Sequence, residues 1–127
     1  MAVQLNHTIV WCRDKKISAD FLSEILGLPA PRPWGPFHIV EPDNGVSLDF
    51  HETHEVITPQ HYAFLVSESE FDEIFARITE RGLTYWADPM RQHAGRINTN
   101  DGGRGLYWAD PDDHSLEIIT RPYGSGS

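Results

Sequence analysis

One pattern occurs twice in this chain, and the repeat constrains the fold more than any other feature. The segment NHTIVW (residues 6–11) is matched by QHYAFL (60–65), and VSLDFH (46–51) by HSLEII (114–119). In each copy a histidine begins an apolar strand, a helix follows, and the last strand carries one carboxylate between apolar neighbours. The repeat predicts an α+β fold of two βαβββ modules in tandem, over about residues 5–54 and 59–122 of a single domain (1–122), with a flexible tail at 123–127.

Helix signals define the centre of each module. The first helix is predicted from Ser18, as its N-cap, to Leu26, with Gly27 ending it. The second begins with a capping box at residues 67–70 and ends at Gly82. Four prolines between residues 29 and 36 predict an irregular segment, so the next strands are placed at 37–41 and 46–51. In the second module we expect strands at 84–87, 105–109 and 115–120, and a long loop at 90–103.

Composition limits the function classes. With 127 residues and 39% hydrophobic content, the chain can bury one ordinary core. Its net charge of −9 disfavours nucleic acid and membrane surfaces as partners. Cys12 is the single cysteine, so no intrachain disulfide can form, and its apolar strand suggests packing. These features, and the lack of an apolar run of about 18 residues, predict a cytoplasmic protein.

Strand alternation predicts which side chains share a face of each sheet. Successive residues of a strand point to opposite sides, so the apolar residues of 46–51 and 115–119 should face the helices. Asp49 and Glu117 then lie on the opposite faces. His7 and His61, at the starts of the opening strands, are expected to project from those faces as well. Two pairs, each of one histidine and one carboxylate, result.

The final run of the second module, LYWADPDDHSLE (residues 106–117), together with the duplicated modules, resembles the vicinal oxygen chelate superfamily. That superfamily contains glyoxalase I, extradiol dioxygenases, fosfomycin-modifying enzymes and bleomycin-type resistance proteins. The resemblance implies a cupped half-barrel, a homodimer with sites shared between chains, and a small-molecule ligand or substrate. It also implies metal ligands at His7, His61 and Glu117. Asp49 stands where glyoxalase-type members place a fourth ligand, but it is one methylene shorter than the usual glutamate.

Two imidazoles and one carboxylate suit Fe(II), Mn(II), Ni(II), Co(II) or Zn(II) and leave open positions for two substrate oxygens. The resemblance therefore favours a divalent-metal-dependent enzyme of glyoxalase or dioxygenase type acting on an oxygenated or aromatic substrate. Tyr107, ten residues before Glu117, matches the acid/base tyrosine of extradiol dioxygenases. Ile9 stands where fosfomycin transferases carry a threonine, which argues against that activity.

The alternative is a metal-free protein that sequesters an antibiotic or another natural product, as bleomycin-binding resistance proteins do. Four tryptophans support this interpretation, because flat aromatic walls stack well on planar ligands. The expected ligand contacts are Trp11, Trp34, Trp86 and Trp108. Packing in the core or at sheet edges is the competing explanation for each of them. A lone histidine at a strand start likewise has an ordinary structural explanation; the repeat-equivalent placement of His7 and His61 is what favours a site.

Overall fold

The computed structural model describes residues 2–126. The chain forms two compact units, residues 1–58 (unit 1) and 59–127 (unit 2). Each unit contains one four-stranded sheet and one long helix, so the prediction of an α+β fold from two tandem βαβββ modules is confirmed. None of the helices within residues 2–126 is long and apolar enough to cross a membrane.

Unit 1 pairs its first strand with its last. Its sheet order is β1-β4-β3-β2, in which β1 and β4 are parallel and the other neighbours are antiparallel. A parallel pair needs a crossover connection, which the helix provides. The elements are β1 (His7–Cys12), α1 (Lys15–Leu26), β2 (Arg32–Trp34), β3 (Phe37–Val40) and β4 (Ser47–Glu52).

Unit 2 repeats this topology. Its sheet order is β5-β8-β7-β6, again with the first and last strands parallel. The elements are β5 (His61–Leu65), α2 (Glu68–Glu80), β6 (Tyr85–Trp86), a short 3₁₀ helix (Asn100–Gly102), β7 (Gly105–Ala109) and β8 (Ser115–Ile119).

The strand register is the same in the two units. In each, the first histidine lies opposite a serine, and the residue two positions later lies opposite the carboxylate residue of the last strand. These pairs are His7–Ser47 and Ile9–Asp49 in unit 1, and His61–Ser115 and Ala63–Glu117 in unit 2. The repeat seen in the sequence is therefore a repeat of positions in space within each sheet.

Alternating burial along the opening strands β1 and β5 separates the two faces of each sheet. In β1, Val10 and Cys12 are buried while His7, Ile9 and Trp11 are exposed. The buried side of unit 1 receives α1, which packs against β3 and β4. Cys12 is fully buried, as predicted. The side of each sheet away from its helix is its open face.

The two helix starts differ from each other in how well the sequence predicts them. In α2 the Ser67 hydroxyl accepts a hydrogen bond from Glu70 N at 3.1 Å and the Glu70 carboxylate accepts one from Ser67 N at 2.8 Å, which confirms the capping box. In α1 the prediction was wrong. The N-cap is Asp14, whose carboxylate accepts from Ile17 N, and Ser18 is buried inside the helix.

The prolines after α1 do not prevent strand formation, contrary to the prediction. Arg32–Trp34 forms β2 and pairs with β3 even though Pro33 lies in its centre. Proline lacks the N–H that a central strand needs on both sides, but an edge strand tolerates it. Because β2 is the edge strand of its sheet, Pro33 costs no hydrogen bond there.

Candidate functional site

A buried carboxylate lies beneath an exposed imidazole on the open face of unit 2. The Glu117 side chain is 1% exposed and the His61 side chain is 45% exposed. His61 Nε2 lies 2.8 Å from Glu117 Oε1, although 56 residues separate them in sequence. The parallel pairing of β5 with β8 brings them together. A buried carboxylate needs polar partners, and the imidazole is one that solvent and solutes can reach.

Two tyrosines complete the surroundings of Glu117. The Tyr123 hydroxyl donates to this carboxylate and lies 2.6 Å from each of its oxygens. The Tyr107 hydroxyl lies 3.2 Å from the Tyr123 hydroxyl. Because the single proton of Tyr123 is used on Glu117, Tyr107 acts as the donor between the two phenols. His61, Tyr107 and Tyr123 therefore form one polar cluster around the carboxylate.

Both phenols hold their protons more firmly than an exposed tyrosine does. Burial, followed by hydrogen bonding to Tyr123 and Glu117, raises the pKa of Tyr107 far above its usual value. For Tyr123, burial of the hydroxyl and its bond to Glu117 also raise the pKa. At neutral pH each is consequently a hydrogen-bond donor and not a base.

Trp86 extends this cluster across the sheet. It lies opposite Tyr107, which lies opposite Glu117, so the three side chains share the open face. The Arg91 guanidinium lies 4.8 Å from the centre of the Trp86 ring and pairs with Asp113 at 2.8 Å. A half-buried indole covered by a cation thus stands beside the phenol of Tyr107.

The open face of unit 1 carries a cavity of about 440 Å³, into which His7 and Asp49 both project. Asp49 is 7% exposed and accepts a hydrogen bond from the Ser47 hydroxyl. His7 Nδ1 donates to the side-chain oxygen of Asn6 at 2.8 Å. That bond places the proton on Nδ1 and the lone pair on Nε2, which is the arrangement commonly found in metal-binding histidines.

A row of aromatic rings crosses the four strands of unit 1 on this face. Trp11 lies 5.0 Å from His51, His51 lies 5.2 Å from Phe37, and Phe37 stacks on Trp34 at 6.5 Å, all measured between ring centres. Trp34 is 62% exposed and, with Phe37, lines the cavity. We call these four residues the aromatic row. Such a surface offers flat rings to a planar ligand.

Trp108 is not part of a ligand surface, so that prediction was wrong. Its side chain is fully buried, and it lies opposite Tyr85, whose ring packs edge-on against Phe75 of α2. Adjacent residues in a strand point to opposite sides, so Tyr107 on the open face requires Trp108 in the core. The other three predicted tryptophans lie on open faces.

The fit of these donor atoms to a metal ion depends on how many of them lie together. Within residues 2–126, no three side chains of the His, Cys, Asp or Glu type form a group able to hold a metal. The structure does bring His61 and Glu117 together, at 2.8 Å. Two ligands about 2.1 Å from a metal and at right angles are about 3.0 Å apart. The pair therefore fits two neighbouring positions of a divalent-metal shell, and a third ligand remains to be assigned.

Three residues of these surfaces were not assigned to a site from the sequence, namely Tyr123, His51 and Phe37. Strand alternation does place His51 on the same face as Asp49, and Phe37 begins a predicted strand. Tyr123 has the parity of Glu117 but lies beyond the last strand, in the segment predicted to be a flexible tail. A turn, not strand alternation, directs its side chain.

Comparison with known proteins agrees with this architecture. Residues 4–118 match the family model described as Glyoxalase/Bleomycin resistance protein/Dioxygenase superfamily. The glutathione transferase FosA of Serratia marcescens is 31% identical over 124 residues, which cover 93% of this chain and 81% of that protein.

Two solved structures are much more similar. Oxidase ChaP-H1 is 66% identical, with a TM-score of 0.95 over 97% of this chain and 99% of that chain. Oxidase ChaP-H2 is 64% identical, with a TM-score of 0.97 over the whole of both chains. Since the family model spans nearly the whole repeat and the fold is the same, this chain belongs to the Glyoxalase/Bleomycin resistance protein/Dioxygenase superfamily, known also as the vicinal oxygen chelate superfamily.

Proposed function

We propose that this protein is a divalent-metal-dependent enzyme that oxidises a small, oxygen-bearing aromatic compound. The observation that carries the proposal is the pair formed by His61 Nε2 and the buried Glu117 carboxylate, 2.8 Å apart on an accessible face. The sequence identity of 66% to a protein named an oxidase supports oxidation over the other reactions of the superfamily.

His61 and Glu117 would hold the metal, and we assign His7 as the third ligand. His7 occupies in unit 1 the register position that His61 occupies in unit 2, and its lone pair is on Nε2. A site of two histidines and one carboxylate is typical of nonhaem Fe(II) oxygenases, so Fe(II) is the first choice among Fe, Mn, Ni, Co and Zn. The metal would supply Lewis acidity and one-electron chemistry with dioxygen.

Tyr107 would serve the reaction as a proton-bearing group. Its raised pKa keeps the phenol protonated at neutral pH, so it donates to a substrate oxygen and does not remove a proton from it. To do so it exchanges its bond to the Tyr123 hydroxyl for one to the substrate. Because β8 lies between β5 and β7, His61 and Tyr107 flank Glu117 on the open face, with their ring centres 5.7 Å apart.

The aromatic row and the neighbouring cavity support an aromatic substrate. A volume of about 440 Å³ suits a compound of two to several fused rings. Asp49 at the edge of that cavity would accept a hydrogen bond from a substrate hydroxyl, and we assign it to ligand binding. Trp11 and Trp34 would contact the ring faces, and Trp86 of a second copy of the chain would contact the ligand as well.

The ligand set leads us to propose a homodimer in which His7 comes from a second copy of the chain. Mixing the variants His7→Ala and His61→Ala tests this arrangement. If sites are shared between chains, mixed dimers contain one site with every ligand intact, and metal binding returns to about a quarter of the wild-type level for random pairing. If each chain holds a complete site, mixing restores nothing.

The function itself is tested by metal content and oxygen uptake. Anaerobically purified protein should bind about one Fe(II) per chain and, with hydroxylated naphthalenes and larger aromatic compounds as probes, consume dioxygen. His61→Ala should abolish both results, whereas His54→Ala, which changes an exposed histidine outside the cluster, should change neither. Protein that binds no divalent metal would refute the proposal.

One alternative has a specific observation in its favour. The exposed aromatic row alone would suit a protein that sequesters a planar natural product without altering it. The same compounds would then quench the tryptophan fluorescence of the metal-free protein and would bind it with the same affinity as the metal-loaded protein. No dioxygen would be consumed.

A further inference from the structure

The C-terminal turn after β8 places a phenol hydroxyl on Glu117. Ser125 N donates to Pro122 O at 3.1 Å, which closes a four-residue turn with Tyr123 and Gly124 at its centre. Gly124 has φ +74°, in the left-handed region that glycine adopts without strain. Gly126 N also donates to Asp101 of the long loop, at 3.4 Å. The turn is therefore held by the chain on either side of Tyr123.

Tyr123 is held by its hydroxyl and gains little from burial of its ring. The residue is 61% exposed, so hydrophobic burial explains only part of its placement. Its hydroxyl nevertheless lies 2.6 Å from both oxygens of a carboxylate that is 1% exposed. A short bond from a phenol to a carboxylate is a strong, directional contact.

We infer that Tyr123 is a positioning residue for the metal centre, an inference that rests on the function proposed above. By bonding both oxygens, Tyr123 limits rotation of the carboxylate and keeps Oε1 directed at His61 Nε2. Tyr107, through its contact with Tyr123, supports the same arrangement from β7. Groups that orient a metal ligand typically change metal affinity 10-fold to 100-fold when they are removed, by order of magnitude.

The test measures binding of Mn(II) alone by electron paramagnetic resonance, and the visible absorption of the Co(II)-loaded protein. Tyr123→Phe should weaken Mn(II) binding about 10-fold or more and shift the Co(II) bands, because the carboxylate is no longer fixed. The melting temperature of the metal-free protein should fall slightly, because the buried carboxylate loses one hydrogen bond and keeps His61 as a partner, so Mn(II) binding is measured far below that temperature. Tyr85→Phe, which changes a phenol on the helix side of the sheet, should match the wild type.

A second variant tests the turn that places the Tyr123 hydroxyl and leaves the hydroxyl itself unchanged. Gly124→Ala leaves Tyr123 intact but strains the turn at φ +74°, where no neighbouring atom blocks the added carbon. It should weaken Mn(II) binding less than Tyr123→Phe and more than Tyr85→Phe. If the wild type binds Mn(II) and Tyr123→Phe binds it equally well, with the same Co(II) spectrum, this inference alone is overturned. Wild-type protein that binds neither metal overturns the proposed function.

Discussion

Replacing Glu117 with glutamine separates the proposed metal role of this residue from its structural role. The amide keeps an oxygen that can accept from Tyr123, and it removes a negative charge from a side chain that is 1% exposed. We therefore expect the metal-free variant to unfold at the same temperature as the wild type or higher. Binding of a divalent metal should weaken, because the neutral amide of glutamine is a poorer metal ligand than a carboxylate.

The size of the effect follows from binding linkage. At a metal concentration of about 100 times Kd, the wild type gains about 2.7 kcal/mol of unfolding free energy. For a chain of this length, that gain raises the melting temperature by about 10 °C. If Glu117→Gln weakens binding about 100-fold, the same metal concentration equals the new Kd and the gain falls to about 0.4 kcal/mol, or roughly 1 to 2 °C.

Differential scanning calorimetry with and without Mn(II) measures both quantities. Glu80→Gln is the matched control, because it makes the same chemical change at the exposed end of α2 and should keep the full metal-induced rise. A Glu117→Gln protein that keeps the rise would show that the carboxylate is not a metal ligand. A large fall in its metal-free melting temperature would show that the charge itself stabilises the fold.

Three further predictions concern packing, capping and pH. Trp108→Ala should lower the unfolding free energy by about 3 to 5 kcal/mol in urea titrations, whereas Trp34→Ala should lower it by less than about 1 kcal/mol; equal losses would contradict the burial of Trp108. Ser67→Ala should cost about 1 kcal/mol by removing the cap of α2, and no measurable loss would argue against the capping box. Because the pKa of Tyr107 is raised in the folded state, the folded protein keeps that proton where the unfolded chain loses it, so stability should fall as pH rises above about 10. Tyr107→Phe should make this fall shallower, and an unchanged slope would contradict the assignment.

The sequence predicts the open faces well because in each module only one side of the sheet receives the helix. Alternation of apolar and polar residues then has a single solution, and it places Asp49, His61 and Glu117 where the structure has them. The same rule excludes Trp108 from a site that contains Tyr107, since neighbours in a strand face opposite ways. The prediction for Trp108 was wrong because it gave more weight to the residue type than to its position in the strand.

Other features depend on context that periodicity does not carry. Pro33 is compatible with a strand only because β2 is at the edge of its sheet. Local composition does not predict the order of the strands in a sheet. The direction of Tyr123 depends on the left-handed conformation of Gly124, in a segment that has the composition of a flexible tail. Asp14 and Ser18 are both good N-caps, and tertiary packing decides between them.

Pairing the first strand of a unit with its last has a consequence for how the chain matures. During synthesis His61 leaves the ribosome long before Glu117, and nothing local can bring the two together. The parallel ladder of β5 and β8 closes a long loop, which is a slow and late event in folding. A nascent or truncated chain that stops before residue 117 can form α2, yet it lacks Glu117 and most of the strand that pairs with β5. The contact between His61 and Glu117 therefore distinguishes finished molecules from unfinished ones.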